Sequence, residues 1–214
     1  MMTVDVVIFT ISGGKLQALL IKRKYDPFKG VWALPGGFIR KNEELLSAAT
    51  RELKEETGVG GVYLEQLYTF GKKRRDPRGR IISVAYFTMV PKSKMKLRAS
   101  TDALETALFP VRALPRLAFD HKAILGYALQ RLRNKIQYTN AVWSLLPRAF
   151  TLGEIQRVYE VIWDNKVDKR NFRKKILSLD LLRPLPKTRR GLRQRPAKLY
   201  KFKTTKYVEL KRFF

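Results

Sequence analysis

Hydrophobic and polar positions alternate with two different periods along the chain. Apolar runs of strand length, each bounded by glycine or polar residues, predict four strands in the first part of the chain, at residues 4–12, 16–21, 62–70 and 81–90. Helical spacing of apolar residues predicts one helix at 43–57, ended by Gly58, and another at 119–138. This part of the chain is therefore expected to form a mixed α and β domain over residues 1–140.

A second pattern begins after residue 150. Thr151 and Glu154 have the spacing of a helix capping box and precede a helical apolar stripe. A short polar turn follows, and Asp168 is suited to cap a second helix whose apolar residues face one way. The opposite face of this second helix carries Arg170, Arg173 and Lys174, with Lys169 at its N-terminal edge. A helix, a short turn and a basic helix are typical of a helix-turn-helix, which we place in a domain over residues 141–214.

Basic residues also dominate the segment after the second helix. Short segments at 181–185 and 198–202 predict a β-hairpin, or wing, with a cationic tip. The wing residues expected to bind DNA are Arg189, Arg190, Arg193 and Arg195. A solvated basic surface is the alternative, but the helix face and the wing both lack interleaved acids, which favours DNA binding. Arg170 and Arg173 are expected to contact bases, and the wing arginines phosphates.

The charge balance supports a polyanionic partner. The chain of 214 residues holds 45 Lys and Arg against 18 Asp and Glu, a net charge of +27. Residues 1–140 contribute +13 and residues 141–214 contribute +14, so the charge is denser in the last third. The absence of cysteine and the single histidine, His121, exclude disulfides, cysteine-based zinc sites and multi-histidine metal sites. Neither a signal-peptide pattern nor a membrane-spanning apolar run is present, so a cytoplasmic protein is expected.

Three carboxylates project from one side of the predicted helix at 43–57. Glu52, Glu55 and Glu56 stand at i, i+3 and i+4, which places them within an arc of roughly 100°. They repel one another unless a cation lies among them, and oxygen ligands of this kind suit Mg²⁺ or Mn²⁺. Arg51 lies beside this face and can orient a carboxylate. The alternative interpretation is a solvated acidic helix face.

The residues around these carboxylates resemble a Nudix box at every fixed position. The matching residues are Gly37, Glu43, Arg51, Glu52, Leu53, Glu55, Glu56, Gly58 and Val59. The resemblance implies a Nudix α/β/α sandwich with a mixed sheet, so that the whole chain is expected to be α+β, with a winged helix-turn-helix after the sandwich. It also implies that the three carboxylates bind the metal, that Gly37 lets the loop backbone approach them, and that Arg51 positions Glu52.

The reaction implied by a Nudix box is hydrolysis of a nucleoside diphosphate linked to another moiety. A divalent metal would polarise the diphosphate and lower the pKa of the attacking water. Glu52, Glu56 and Arg51 are then expected in the catalytic machinery. A further acid from a loop often serves as the base in this family, and Glu105 and Asp102 are the candidates here.

Segments 75–86 and 117–121, together with the predicted winged helix, resemble Nudix-related transcriptional regulators of NAD metabolism. The resemblance covers nearly the whole chain apart from the tail at 204–214. It implies a DNA-binding repressor of NAD-biosynthesis genes, with ADP-ribose or a related NAD-derived nucleotide as the effector. Gly37, Arg75 and Arg78 are the expected ligand contacts. A homodimer that binds a palindromic operator is implied as well.

Two other functions are weighed against this one. The first is an ADP-ribose pyrophosphatase, cleaving ADP-ribose to AMP and ribose 5-phosphate, whose basic domain only places the enzyme or binds RNA. Because the box is complete, hydrolysis is also kept as a secondary activity of a regulator. The second is a regulator that senses a sugar such as arabinose, which the intact acidic helix disfavours. His121 follows Asp120 and is interpreted as a residue at a helix N-terminus rather than a catalytic group.

Overall fold

The computed structural model describes two compact units. It covers residues 1–95, 97, 103–191 and 194–210. Unit 1 is Met1–Arg131 and unit 2 is Leu132–Phe214, so the division falls within one helix. Helices and strands occur in both units, which confirms the predicted α+β class. Among the residues covered, no helix is long and apolar enough to cross a membrane.

The described part of unit 1 is built on a mixed sheet of seven strands. They are β1 (Met2–Ser12), β2 (Lys15–Arg23), β3 (Trp32–Ala33), β4 (Gly36–Phe38), β5 (Glu65–Phe70), β6 (Ile82–Met89) and β7 (Ala103–Pro110). Their order is β3-β2-β1-β6-β5, with β4 also paired to β1 and β7 to β2. β1 and β6 run parallel and the other pairs antiparallel, so the sheet is mixed, as predicted. The predicted hairpin is confirmed as β1 and β2.

Two short strands that the apolar pattern missed position the glycine-rich loop. β3 has two residues and β4 has three, which is too short for a period of two to show. β4 pairs with β1 so that Gly37 lies opposite Val4 and Gly36 opposite Asp5. A Cβ atom on Gly36 would lie 2.3 Å from the carbonyl oxygen of Val4. Only glycine therefore allows the loop to approach the sheet this closely.

The two helices of unit 1 are each shorter than the periodicity predicts. α1 (Leu45–Thr57) packs on the sheet through small and apolar residues such as Ala49 and Leu53, and it ends at Gly58, whose φ of 66° is left-handed, as predicted. α2 (His121–Lys135) begins two residues late because Phe119 has a φ of 52°, which is incompatible with a right-handed helix. A short 3₁₀ turn, Lys92–Lys94, follows β6.

Unit 2 contains a helix-turn-helix followed by a hairpin. The helices are α3 (Leu152–Trp163) and α4 (Lys169–Ser178), preceded by a 3₁₀ turn, Ala141–Leu145. The strands are β8 (Phe150–Thr151), β9 (Leu182–Gly191) and β10 (Gln194–Phe202), in the order β8-β10-β9. β9 and β10 form the wing, which confirms the predicted winged helix-turn-helix.

The helix starts of unit 2 follow the capping pattern of the sequence. Thr151 Oγ1 accepts a hydrogen bond from the backbone N–H of Glu154, while the Glu154 carboxylate accepts one from the backbone N–H of Thr151 at 2.7 Å. Asp168 Oδ1 likewise accepts from the N–H of Asn171 at 2.7 Å and caps α4. Both predicted caps are therefore confirmed. The two helices pack through Tyr159 and Phe172, whose rings are 5.3 Å apart.

Residues after β10, for which the sequence offers no account, lie along the segment that follows α2. Thr139 and Glu209 form an antiparallel bridge. The side-chain oxygen of Asn140 accepts a hydrogen bond from the N–H of Val208 at 2.9 Å. The part of the tail that the structure describes, up to residue 210, therefore belongs to the fold of unit 2.

Candidate functional site

The carboxylate face of α1 lies against the glycine-rich loop. Glu52 and Glu56 are buried, whereas the side chain of Glu55 is 42% exposed. A Cβ atom on Gly37 would lie 2.4 Å from Glu52 Oε1, so any larger residue at position 37 would force this carboxylate to move. The structure therefore brings together Gly37 and Glu52, the pair that the Nudix resemblance relates.

Arg51 ties the acidic helix to the loop before it. Its Nη1 donates to Glu52 Oε1 at 2.6 Å, and its Nε and Nη2 donate to the two oxygens of Glu43 at 2.8 and 3.0 Å. These hydrogen bonds, with one from the backbone N–H of Arg40, lower the pKa of Glu43 to about 2. Arg51 thus fixes the orientation of Glu52, which is the role predicted for it.

The three predicted metal ligands have different surroundings, since Glu52 and Glu56 are buried and Glu55 is partly exposed. Glu55 faces the guanidinium groups of Arg40 and Arg51, each at 3.7 Å. Within the described ranges, no group of three acidic or histidine side chains is arranged to hold a cation. The donor chemistry still suits a hard divalent ion, since Glu52 and Glu56 place two buried carboxylates on one face of α1.

The candidates for a catalytic base lie on or near β7. The Glu105 side chain is 54% exposed and its Oε2 lies 3.6 Å from Lys22 Nζ. Its neighbour Thr106 donates a long hydrogen bond of 3.4 Å to Glu56 Oε2, so β7 reaches the carboxylate helix beside Glu105. Asp102, the other candidate, lies outside the described residues.

A cavity of about 260 Å³ opens beside the glycine-rich loop. Gly37, Arg75 and Arg78, the three residues predicted to bind a ligand, all line it. No motif in the sequence singles out three further lining residues, Asp5, Arg23 and Phe38, whereas a fourth, Phe119, belongs to the segment 117–121. The cavity thus combines cationic, aromatic and acidic groups, a composition that suits a nucleotide.

Arg75 is the buried centre of an ion-pair network in this cavity. Its Nε and Nη2 donate to the two carboxylate oxygens of Asp120 at 2.9 and 2.6 Å, and Nη2 lies 3.4 Å from Asp5. Burial is the strongest single influence and disfavours the charged guanidinium, but the hydrogen bonds with Asp120 and the charges of Asp5, Asp120 and Asp76 together raise the pKa of Arg75. Ser83 donates a further hydrogen bond to Asp5. Arg75 therefore keeps its positive charge, and its ion pair with Asp120 fixes the position of that charge.

His121 has a larger part in the cavity than the sequence interpretation gave it. It is the first residue of α2, as interpreted, but it is also buried in the cavity wall. Its Nδ1 accepts a hydrogen bond from the N–H of Leu34 at 2.9 Å, so the ring proton lies on Nε2, 3.4 Å from Asp5 Oδ1. Burial lowers the pKa of His121, which keeps the ring neutral near pH 7.

The predicted recognition helix presents its cations outward. Lys169, Arg170 and Lys174 are exposed on α4, while Phe172 on the opposite face is buried. Arg173 is partly buried, and its Nε has no hydrogen-bond partner among the residues that the structure covers. The exposed cations form the face that was predicted to bind DNA.

Arg189 of the wing differs from this arrangement. Arg189 is paired with Glu154 of the capping box and donates to the carbonyl oxygen of Ala149 at 3.0 Å. Arg190 lies on β9 and Arg195 on β10, whereas Arg193 is outside the described residues. Arg189, one of the predicted phosphate contacts, is thus engaged within unit 2.

A Nudix domain with its acidic helix, followed by a winged helix-turn-helix, defines a class of DNA-binding regulators that carry a Nudix domain. A NUDIX domain model matches residues 1–132, and a model of the NrtR DNA-binding winged helix domain matches residues 142–202. The chain is 37% identical over 210 residues to the ADPR-responsive transcriptional repressor NtrR of Acinetobacter baylyi, covering 97% of this chain and 84% of that protein. This chain belongs to the NrtR family of Nudix-related transcriptional regulators.

Solved structures of that family agree with the assignment. The structure of Shewanella oneidensis NrtR with a 27mer DNA superposes with a TM-score of 0.83 at 36% identity, covering 94% of this chain and 93% of that one. The NUDIX domain of the same protein with ADP ribose gives a TM-score of 0.56 at 36% identity, over 62% of this chain and 88% of that one. Both units of this chain therefore have counterparts within one family.

Proposed function

We propose that this protein is a transcriptional repressor of NAD-metabolism genes that binds ADP-ribose, or a related NAD-derived nucleotide, in the cavity of unit 1. The observation that carries the proposal is the arginine-lined cavity beside an intact Nudix box, in a chain whose second unit exposes the cations of α4. Among the similar proteins, one is an ADPR-responsive transcriptional repressor, and Shewanella oneidensis NrtR was solved with a 27mer DNA and, as its NUDIX domain, with ADP ribose. Such a repressor acts in the cytoplasm as a homodimer on a palindromic operator.

Unit 2 supplies the DNA contacts in this proposal. Exposed cations on one face of a helix neutralise phosphates, and arginine can pair with a guanine edge. The proposed contacts are Lys169, Arg170, Arg173 and Lys174 on the helix and Arg189, Arg190, Arg193 and Arg195 on the wing.

The test measures binding of the full chain to labelled duplexes from upstream of NAD-synthesis genes. Addition of ADP-ribose is expected to release the duplex, whereas arabinose is expected to leave it bound. Release by arabinose alone would support the sugar-sensing alternative. Equal affinity for scrambled duplexes would contradict the operator assignment.

Hydrolysis of ADP-ribose is a second candidate function, favoured by the buried carboxylates Glu52 and Glu56 beside Gly37. Water would attack one phosphorus and the P–O–P bridge would break, giving AMP and ribose 5-phosphate. Nudix hydrolases use divalent metal ions, and we propose Mg²⁺ or Mn²⁺ held by Glu52, Glu55 and Glu56. The metal would supply an activated water and charge neutralisation. Within the chain, Arg51 orients the Glu52 carboxylate by donating a hydrogen bond to it.

AMP formation in the presence of Mg²⁺ tests this second function. Wild-type protein is expected to produce AMP, and Glu56→Gln to reduce the rate at least about a hundredfold, as for loss of a group that acts in the transition state. Glu105→Gln tests the proposed base in the same assay. If wild type forms no AMP, the box serves binding alone, and the repressor proposal is unaffected.

A further inference from the structure

Two arginines and two aromatic rings form a stack along the cavity wall. The Arg78 guanidinium carbon lies 4.9 Å from the ring centre of Phe38 and 5.4 Å from that of Phe119. The Arg23 guanidinium carbon lies 5.0 Å from the ring centre of Phe119. All four side chains line the cavity. The Phe119 ring is therefore in cation–π contact with both guanidinium groups.

Each guanidinium group also donates hydrogen bonds to an acceptor other than the ring. Arg78 donates to the two oxygens of Asp76 at 3.0 and 2.7 Å. Arg23 donates its Nε to the carbonyl oxygen of Pro27 at 2.8 Å. These contacts restrict each side chain at one point, and the Phe119 ring, which contacts both guanidinium groups, restricts them at another.

Phe119 is placed by an unusual backbone conformation. Its φ of 52° is left-handed, which is uncommon for a bulky residue and costs conformational energy. Its ring packs edge-to-face on Phe28 with centroids 4.8 Å apart. The next two residues, Asp120 and His121, belong to the buried network of the cavity. Such strain is retained where the surroundings fix it, and it is frequent at ligand sites.

We infer that Phe119 is a positioning residue that sets the spacing of Arg23 and Arg78, and that these two guanidinium groups bind the diphosphate of the nucleotide effector. The inference rests on the proposed function of the cavity and adds Arg23 and Phe119 to its ligand site. Each planar guanidinium group can bind one phosphoryl group. The ring in contact with both keeps the two positive charges close together, where a diphosphate can bind them. Without the ring, both side chains would be less restricted, and this part of their ordering would occur when the ligand binds.

Calorimetric titration of the full chain with ADP-ribose, and with inorganic pyrophosphate as a minimal probe, tests the inference. Phe119→Leu and Arg23→Gln are each expected to weaken binding of both ligands about tenfold, as for loss of one charge-assisted contact. The double variant is expected to lose less than the product of the two single losses, because Phe119 acts partly through Arg23. Phe119→Tyr keeps the ring and is expected to bind like wild type.

Arg116→Gln, an exposed change of equal charge in unit 1 outside the cavity lining, is the control and should bind both ligands normally. Two results would overturn the inference while the proposed function stands. One is a loss of affinity in the double variant equal to the product of the two single losses, and the other is wild-type affinity of Phe119→Leu. If Phe119→Leu does not fold, Arg23→Lys decides: it retains the charge but not the planar group, and unchanged affinity overturns the inference. A wild-type protein that binds neither ligand refutes both proposals.

Discussion

The cations of the two units are organised in opposite ways. In the cavity of unit 1, Arg75 and Arg78 are held by carboxylates, and Arg75 is buried. On α4 of unit 2, Arg170 and Lys174 point into solvent. A small ligand gains from charges whose positions are fixed before binding, because little side-chain entropy is then lost. A long polyanion gains from exposed cations that displace its counterions. The same residue types thus serve two kinds of anion.

The largest difference is expected when a buried and an exposed ion pair are broken in parallel. Asp120→Asn removes the charge that compensates buried Arg75 and should lower the free energy of unfolding by about 3 kcal/mol. Asp180→Asn breaks the pair between Lys203 and an aspartate side chain that is 84% exposed, and should cost less than about 1 kcal/mol. Urea unfolding followed by circular dichroism measures both, and similar losses would show that the cavity network is not specially stabilising.

The next effect concerns DNA affinity. Arg170→Ala combined with Lys174→Ala should weaken duplex binding by on the order of 2 kcal/mol. The slope of log affinity against log salt should fall by about 2, because two phosphate or base contacts are lost. Lys92→Ala combined with Lys94→Ala removes the same charge from the 3₁₀ turn of unit 1 and should change the slope little. An equal change of slope in both pairs would mean that overall charge, not the α4 face, drives binding.

A smaller effect is expected from pH, through the lone histidine. In the unfolded chain His121 takes up a proton near pH 6.5, whereas in the folded chain burial lowers its pKa. The unfolded state then binds more protons below pH 6.5, so stability falls as the pH falls, by at most about 1.4 kcal/mol per pH unit. Urea unfolding at pH 7.5 and 5.5 measures the loss. His121→Gln should reduce it, and a wild-type stability that rises over this interval would contradict the assignment.

The elements that could be predicted are those whose signals lie close together in the chain. The capping box of α3 and the glycine that ends α1 each occupy a few residues. The cavity network could not be predicted, because Arg75 meets Asp120 across 45 residues and Leu34 meets His121 across 87. Those meetings depend on the parallel pairing of β1 with β6 and on a left-handed residue before α2, which no local pattern encodes.

The same limit applies to the wing, where sequence reasoning gave four arginines one role. Residue spacing showed a basic hairpin, but it could not show that Glu154, 35 residues earlier, is paired with Arg189. Which carboxylate neutralises a given cation is decided by the tertiary structure and not by the local sequence. Unit 2 therefore also contains both kinds of cation. Arg189 is held by a carboxylate, whereas Arg170 on α4 is exposed.

The smallest expected effect tests that division within the wing. Because Arg189 is paired with Glu154 and bound to the Ala149 carbonyl oxygen, Arg189→Gln should lower the salt slope of DNA binding by less than about 0.5. Lys187→Gln removes an exposed cation from the same strand and should lower the slope by about 1 if the wing follows the phosphate backbone. Anisotropy titrations of both variants from 50 to about 200 mM salt give the slopes. A larger change for Arg189 than for Lys187 would show that the pair with Glu154 opens when DNA binds, which would make Arg189 a phosphate contact after all.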